Sequence, residues 1–191
     1  MQGRIIDAAV VVTSTAGWSS VTMAGLAEIV GVSRQTVYNE FGSKPALAEA
    51  MVQHELMLFL AVVEAAFDRS PHDPVEAIRD AARGVLELAQ DNVLLRAIAS
   101  ATHGADTELL PLLTTRSHSL MGAASTVMAD RLAASGVGGD DPRIGATVDA
   151  VVRLVLSHVV RPTRPPARAA DDIAWVAGRL LEARRVATAS A

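Results

Sequence analysis

Residues 31–44 read GVSRQTVYNEFGSK, and this short segment contains residues that typically begin or end helices. Gly31 suits the end of a preceding helix, because glycine adopts the left-handed backbone of a helix C-terminus without strain. Ser33 can cap the helix that follows, and Val32 and Val37 stand at the two positions of a hydrophobic staple. Ser43 starts a further helix. The segment therefore predicts a short third helix beginning at Ser33 and a fourth beginning at Ser43.

The residues that precede this segment repeat the same device. Thr22 can cap a second helix that ends near Gly31, with Val21 and Leu26 at its staple positions. A first helix covers about residues 4–16 and stops at Gly17. Two short helices separated by a glycine-containing turn have the spacing of a helix-turn-helix.

In the rest of the chain, apolar residues at helical spacing and the residues typical of helix ends predict further helices. The fourth helix extends to about residue 68, and Asp73-Pro74-Val75-Glu76 starts a fifth that reaches about residue 90. Further helices cover about residues 93–101, 107–135 and 141–160, and a last one follows the proline-rich connector at 161–166. We therefore predict an all-α protein of about nine helices, divided into a small domain at 1–47 and a larger one at 48–191.

Composition narrows the class of protein. The 191 residues are 50% hydrophobic but only 3% aromatic, which favours helices packed through small aliphatic side chains. The chain has no cysteine, so disulfide scaffolds, cysteine zinc sites and thiol nucleophiles are excluded. The longest uncharged run, residues 8–27, is interrupted by serine, threonine and glycine and does not resemble a membrane span or a signal peptide. We expect a cytoplasmic protein that binds no membrane.

The motifs of common enzymes are missing from the sequence. We find no pair of carboxylates spaced for general acid–base catalysis, no His-x-x-x-His or Glu-x-x-His metal arrangement, no Gly-x-Ser-x-Gly elbow and no phosphate-binding loop. We therefore expect no catalytic residue, no metal site, no cofactor and no enzymatic activity.

The predicted third helix carries a polar face suited to the DNA major groove. At about 100° per residue, Arg34, Gln35, Tyr38 and Asn39 fall within an arc of roughly 140°, with Val37 on the far side. Arginine can donate two hydrogen bonds to guanine, and glutamine or asparagine can pair with adenine. Candidate phosphate contacts, from side chains or from helix N-termini, complete the predicted DNA-binding set of Thr22, Ser33, Arg34, Gln35, Thr36, Tyr38, Asn39 and Lys44.

Net charge argues against general nucleic-acid affinity. The chain carries a formal charge of −4, and within residues 1–47 Arg4, Arg34 and Lys44 only balance Asp7, Glu28 and Glu40. Contact with DNA must therefore depend on where these few groups are placed.

Residues 4–47 resemble the N-terminal domain of the tetracycline-repressor (TetR/AcrR) family of bacterial transcriptional regulators. The matching residues are Ile5-Ile6-Asp7-Ala8-Ala9, Gly17, Val21-Thr22-Met23, Leu26-Ala27, Gly31-Val32-Ser33, Thr36-Val37-Tyr38, Phe41 and Ser43-Lys44-Pro45-Ala46-Leu47. The rest of the chain is similar to the family only in the number, lengths and order of its helices. The resemblance implies that the third helix enters the major groove, that Thr36, Tyr38 and Lys44 contact the DNA backbone and that Arg34 and Gln35 contact bases. Glu40 departs from the histidine or neutral residue common there.

The same resemblance implies a homodimer and an effector cavity in the larger domain. Apolar stripes on the last two helices are the predicted interface, although some of each stripe must pack within its own chain: Val148, Val152, Val155, Ile173, Ala177, Leu180 and Leu181. The predicted cavity residues are Phe59, Leu86, His103, Arg116, Leu120 and His158. So few aromatic side chains favour a lipophilic, acyl-like effector over a planar drug.

These observations predict a ligand-responsive repressor that binds a near-palindromic double-stranded DNA operator as a dimer and leaves it when a small lipophilic effector binds. Two alternatives remain open: a helical ligand-binding or interaction protein that has lost operator binding, and an all-α enzyme.

Overall fold

The structure, a computed structural model, describes residues 1–92, 95, 117–137 and 142–189. In this part it contains α-helices and no strand, which confirms the all-α class. The helices are α1 Gln2–Ala16, α2 Met23–Val30, α3 Arg34–Phe41, α4 Lys44–Arg69, α5 Pro74–Asp91, α6 Ser117–Leu132, α7 Pro142–Val160 and α8 Pro166–Ala189. A 3₁₀ turn at Trp18–Ser20 follows α1, and a π-helical turn at Ala133–Val137 follows α6. The helix expected at 93–101, apart from residue 95, and the first part of the one expected at 107–135 lie outside the described residues.

The chain forms two compact units. The first consists of residues 1–57 with 92–118, and the second of residues 58–91 with 119–191. The boundary predicted at residue 47 falls inside α4, which continues without interruption. The division into domains at 1–47 and 48–191 stays a prediction.

The first unit has a core made by α1, α2, α3 and the start of α4. Ile5, Leu26, Val37 and Leu47 are at most 1% exposed, and Trp18 packs among them. Val21 and Leu26, the two residues of the predicted staple, both lie in this core. The same apolar side chains that mark the helix boundaries therefore hold the short helices together.

The second unit is a helical bundle in which α8 packs mainly against α5 and also against α7. Its fully buried side chains include Ile78, Leu132, Val151 and Ile173. The helices α5 and α4 approach each other closely at Gly84. A Cβ added to this glycine would stand only 2.6 Å from Val62 Cγ1. A larger residue at position 84 would push these helices apart.

The helix α4 is the one described helix that is long and apolar enough to cross a membrane. Length and composition alone do not distinguish a membrane-spanning helix from the core helix of a soluble protein. The expectation that the protein binds no membrane stays a prediction.

Candidate nucleic-acid interface

The two short helices α2 and α3 begin as the sequence predicts. The Thr22 side chain accepts a hydrogen bond from Gly25 N at 3.0 Å, and the Ser33 side chain accepts one from Thr36 N at 3.0 Å. Each hydroxyl satisfies one backbone amide that the first turn of its helix leaves free. The remaining amides at these N-termini are positioned to bind an anion such as a DNA phosphate.

The turn between α2 and α3 depends on Gly31. Its backbone is left-handed, with φ 76° and ψ 40°, and its amide and that of Val32 both donate to Ala27 O at 2.9 Å. A residue with a Cβ would be strained in this conformation. The turn therefore sets the angle at which α3 leaves α2.

The two sides of α3 differ sharply in exposure. Val37 is fully buried, whereas Arg34, Gln35 and Asn39 are exposed. Thr36 and Tyr38 are half-buried at the edges of the exposed side. The structure thus places the predicted polar face of α3 toward solvent, where it can meet a ligand.

The polar side chains of this face form two pairs along the helix. Arg34 Nη2 donates to Tyr38 Oη at 3.3 Å, and the guanidinium lies 5.2 Å from the centre of the Tyr38 ring. Gln35 Nε2 donates to Asn39 Oδ1 at 2.8 Å. Because both pairs join residues four apart, each restricts the rotamers of long exposed side chains before any ligand binds.

Two cations of the first unit make internal contacts that the sequence did not predict. Arg4 Nη2 donates to Val30 O at 2.9 Å, at the end of α2. Lys44 Nζ donates to Trp18 O at 2.9 Å and to Ser19 O at 3.5 Å, and it lies 4.8 Å from the centre of the Trp18 ring. The residue predicted to bind phosphate is therefore held by the protein itself.

The seven residues predicted at the dimer interface separate into two groups. Five are buried in the core of the single chain and pack within it: Val148, Val152, Ile173, Ala177 and Leu181. Val155 is half-buried and Leu180 is 39% exposed. On the same helix as Leu180, the exposed indole of Trp175 lies beside the Arg179 guanidinium. Sequence patterns missed Trp175, because it falls outside the apolar stripe of α8.

The residues predicted to line an effector cavity can be located only in part. Leu86 and His158 border a small cavity of about 40 Å³, together with Ala89, Gln90, Val159, Pro162, Arg164 and Pro166. Phe59 is half-buried on α4 and does not border it. His103, Arg116 and the side chain of Leu120 lie outside the described residues. Ligand pockets usually measure about 300–1,000 Å³, so this cavity is too small to hold an effector by itself.

Family profiles match both parts of the chain. The profile described as "Bacterial regulatory proteins, tetR family" matches residues 5–51. A second, described as "Bacterial Tetracyclin repressor, C-terminal domain", matches residues 73–179. The second match alone covers more than half of the chain.

Individual proteins are similar over most of their length. The HTH-type transcriptional regulator AlkX of Mycobacterium tuberculosis is 31% identical over 175 residues, which cover 91% of this chain and 82% of the relative. The crystal structure of the TetR family repressor AlkX from Dietzia sp. strain DQ12-45-1b, implicated in biodegradation of n-alkanes, is 25% identical, with a TM-score of 0.72 and 95% of both chains covered. The same fold occurs in Thermus thermophilus FadR in complex with lauroyl-CoA, which is 22% identical with a TM-score of 0.57 and covers 95% of this chain and 93% of that one.

Proposed function

Because the chain belongs to the tetracycline-repressor family of bacterial regulatory proteins and is a DNA-binding transcriptional regulator, we propose that it acts as a ligand-released repressor. In this proposal a dimer occupies a near-palindromic operator, and a small lipophilic effector shifts the dimer to a conformation that binds DNA poorly. Such a shift requires the effector to prefer one conformation over the other.

The exposed polar face of α3 carries the proposal. Arg34 and Gln35 are the groups we assign to base edges, because a guanidinium matches guanine and a carboxamide matches adenine. Asn39 supports Gln35 through their 2.8 Å hydrogen bond, and we assign it to base edges as well, because a carboxamide matches adenine. The buried Val37 fixes the rotation of α3 about its axis, so these groups face outward together.

We assign the phosphate contacts to groups around the edge of that face. Thr22 and Ser33 stand at the N-termini of α2 and α3, where backbone amides and the helix dipole attract an anion. Thr36 and Tyr38 flank the base-contacting residues with hydroxyl groups. Lys44, which the sequence also predicts to bind phosphate, is not among these groups, because its ammonium is already bonded to two carbonyl oxygens.

We propose that the outward sides of α7 and α8 form the dimer interface. Two recognition helices meet successive major grooves about 34 Å apart when the protein has twofold symmetry. Trp175 is 64% exposed, and large aromatic side chains often anchor protein interfaces. Leu180 and Val155 remain accessible to a second chain, whereas the buried members of the predicted stripes stabilise the protomer.

The proposal of a lipophilic effector is supported by similarity and composition. The Dietzia relative is implicated in biodegradation of n-alkanes, and Thermus thermophilus FadR was crystallised in complex with lauroyl-CoA, an acyl thioester. The core of the second unit is almost wholly aliphatic. We further propose that the protein works in the cytoplasm, where chromosomal DNA and metabolic ligands meet, and that it catalyses no reaction.

Selection from a random duplex library tests operator binding. Purified full-length protein should enrich a near-palindromic motif whose half-sites are about one helical turn apart. A variant with Arg34, Gln35 and Asn39 all changed to alanine should enrich no motif, while circular dichroism shows that it is folded. Failure of the natural protein to enrich any motif would support a helical binding protein that has lost its operator. Enrichment of the same motif by the variant would refute the assigned face.

A thermal-shift experiment tests the effector class. Dodecanoyl-CoA and n-dodecane should raise the melting temperature and release the selected operator, because binding to the folded state adds stability. A planar cationic dye serves as the comparison ligand. Stabilisation by the dye with no response to either aliphatic probe would reverse the proposal.

A further inference from the structure

The environment of Lys44 is unusual for a residue in the first turn of a helix. The dipole of α4 disfavours a cation at this end. In the structure, two carbonyl oxygens and an aromatic ring of the protein offset the unfavourable interaction between the Lys44 charge and the helix dipole. Lys44 Nζ lies 2.9 Å from Trp18 O, 3.5 Å from Ser19 O and 4.8 Å from the centre of the Trp18 ring. No phosphate is needed to stabilise the charge.

These contacts use most of the ammonium's capacity. A lysine has three N–H donors, of which two point to carbonyl oxygens here. The side chain is half-buried, and the ring covers a further side of the charge. At most one donor is left for a DNA phosphate.

The atoms that bind Lys44 belong to the part of the first unit that packs against α2 and α3. Trp18 is 3% exposed and packs in the same core as α1, α2 and Val37 of α3. Its 3₁₀ turn ends at Ser20, two residues before the Thr22 cap of α2. The ammonium therefore ties the first residue of α4 to the segment from which α2 starts.

Arg4 does similar work at another helix end. Its guanidinium donates to Val30 O at 2.9 Å. Val30 is the last residue of α2 and directly precedes the turn at Gly31. The unit thus uses two long cationic side chains to hold both ends of the α2 region. Of the three cations in residues 1–47, Arg34 is the one on the exposed face of α3.

We propose that Lys44 is a positioning residue, which orients the recognition helix by bonding to Trp18 and Ser19, and that this is its main contribution to DNA recognition. The inference rests on the proposed operator binding. It departs from the expectation that Lys44 holds a phosphate. A positioning residue affects specific binding most, because base contacts need an accurate placement of α3 and non-specific phosphate contacts do not.

Three measurements on the full-length Lys44→Met variant test this proposal, with an operator obtained by selection and an unrelated duplex of equal length. Affinity for the operator should fall by about tenfold or more, the cost of about one mismatched base pair, while affinity for the unrelated duplex changes by less than about twofold. The salt dependence of operator binding should stay the same. In protein labelled with 5-fluorotryptophan, the ¹⁹F resonance of Trp18, assigned with Trp18→Phe, should move in the absence of DNA.

Each other outcome overturns the proposal. A phosphate contact predicts that both duplexes weaken equally and that the salt slope of the dimer falls by about 2. A Trp18 resonance that does not move would show that the ammonium does not contact this ring in the free protein. A role in stability alone predicts a lower melting temperature but normal operator affinity in the folded variant.

If the methionine variant does not fold, Lys44→Arg replaces it in the same experiment. A phosphate contact then predicts unchanged binding to both duplexes, and positioning predicts a selective loss of affinity for the operator. If the natural protein binds no operator, the proposed function fails instead.

Discussion

The side chains on the outer face of α3 are arranged before DNA binds. Arg34 rests on Tyr38 and Gln35 is bonded to Asn39, so the two residues that we propose to contact bases each have a neighbour that limits their rotamers. Immobilising a long side chain on binding costs about 0.5–1.5 kcal/mol of free energy through lost conformational entropy. A side chain that is already ordered loses less. The four residues should therefore behave as two coupled pairs.

Replacing Arg34 with alanine should relax base preference at one position in each half-site. The expected loss there is about 1–3 kcal/mol, because a bidentate contact to guanine disappears. Selection with the variant, followed by competition between duplexes that differ at that position, measures the change. Arg168→Ala is the matched control. Arg168 is an exposed arginine of α8 in the other unit, so this substitution removes the same charge. Equal losses in both variants would show that charge alone, and not contact by Arg34, governs affinity.

Helix packing in the second unit depends on two glycines with different surroundings. A Cβ at Gly84 of α5 would lie 2.6 Å from Val62 Cγ1, whereas one at Gly178 of α8 would lie 3.7 Å from the Val75 methyl groups. The first distance is a clash and the second is ordinary contact. Close packing of α5 on α4 therefore requires glycine at position 84, whereas the packing of α8 on α5 does not require glycine at 178.

This difference leads to opposite expectations for two matched substitutions. Gly178→Ala should stabilise the protein by up to about 1 kcal/mol, because alanine favours a helix more than glycine does. Gly84→Ala gains the same propensity but should be destabilising overall, since overpacking costs about 1–3 kcal/mol. Urea unfolding of both variants measures the difference. Adding Val62→Ala should restore part of the stability of Gly84→Ala, and equal stability of the two single variants would contradict the close approach.

The distribution of charge over the whole chain limits how DNA can be bound. The protein has a formal charge of −4, and the first 47 residues contribute three cations and three anions. Two of those cations donate to backbone carbonyls of their own unit. Non-specific attraction to DNA should consequently be weak, and specific contacts must provide most of the affinity.

Operator affinity should therefore depend only modestly on salt. If Arg34 and Lys44 of both protomers contacted phosphates, about four cations would be neutralised and the log–log slope would be about −3.6. We expect a slope of no greater magnitude, measured by fluorescence anisotropy between low and moderate salt. Glu40→Lys is the matched control and should steepen the slope, because it adds a cation to α3 of each protomer. A slope near −10 in the natural protein would indicate phosphate contacts elsewhere in the chain.

Assembly into a dimer should depend on Trp175. Trp175→Glu is expected to shift the protein from dimer to monomer in analytical ultracentrifugation, because a buried, unpaired carboxylate opposes association. Val11→Glu is the control, since Val11 on α1 is 59% exposed and Trp175 is 64% exposed. Dissociation by both variants, or by neither, would place the interface elsewhere.

The sequence alone determined the class of fold, the helix boundaries near Thr22, Gly31 and Ser33, and the orientation of Val37 and Arg34 on α3. These features are local: caps, staples and helix faces are set by residues three or four positions apart, so periodicity and punctuation reveal them. The family assignment rests on the same residues and is confirmed by the profile matches over 5–51 and 73–179.

Only the tertiary structure decided which partners the distant residues have. Lys44 meets Trp18 and Arg4 meets Val30 across 26 positions, and no local pattern links such pairs. The stripe residues Val148 and Ile173 are buried against their own chain, while Trp175 stays exposed. An apolar stripe shows that a helix face will be covered, but the packing of the folded chain determines what covers it, because burial of apolar surface is favourable whichever partner provides it.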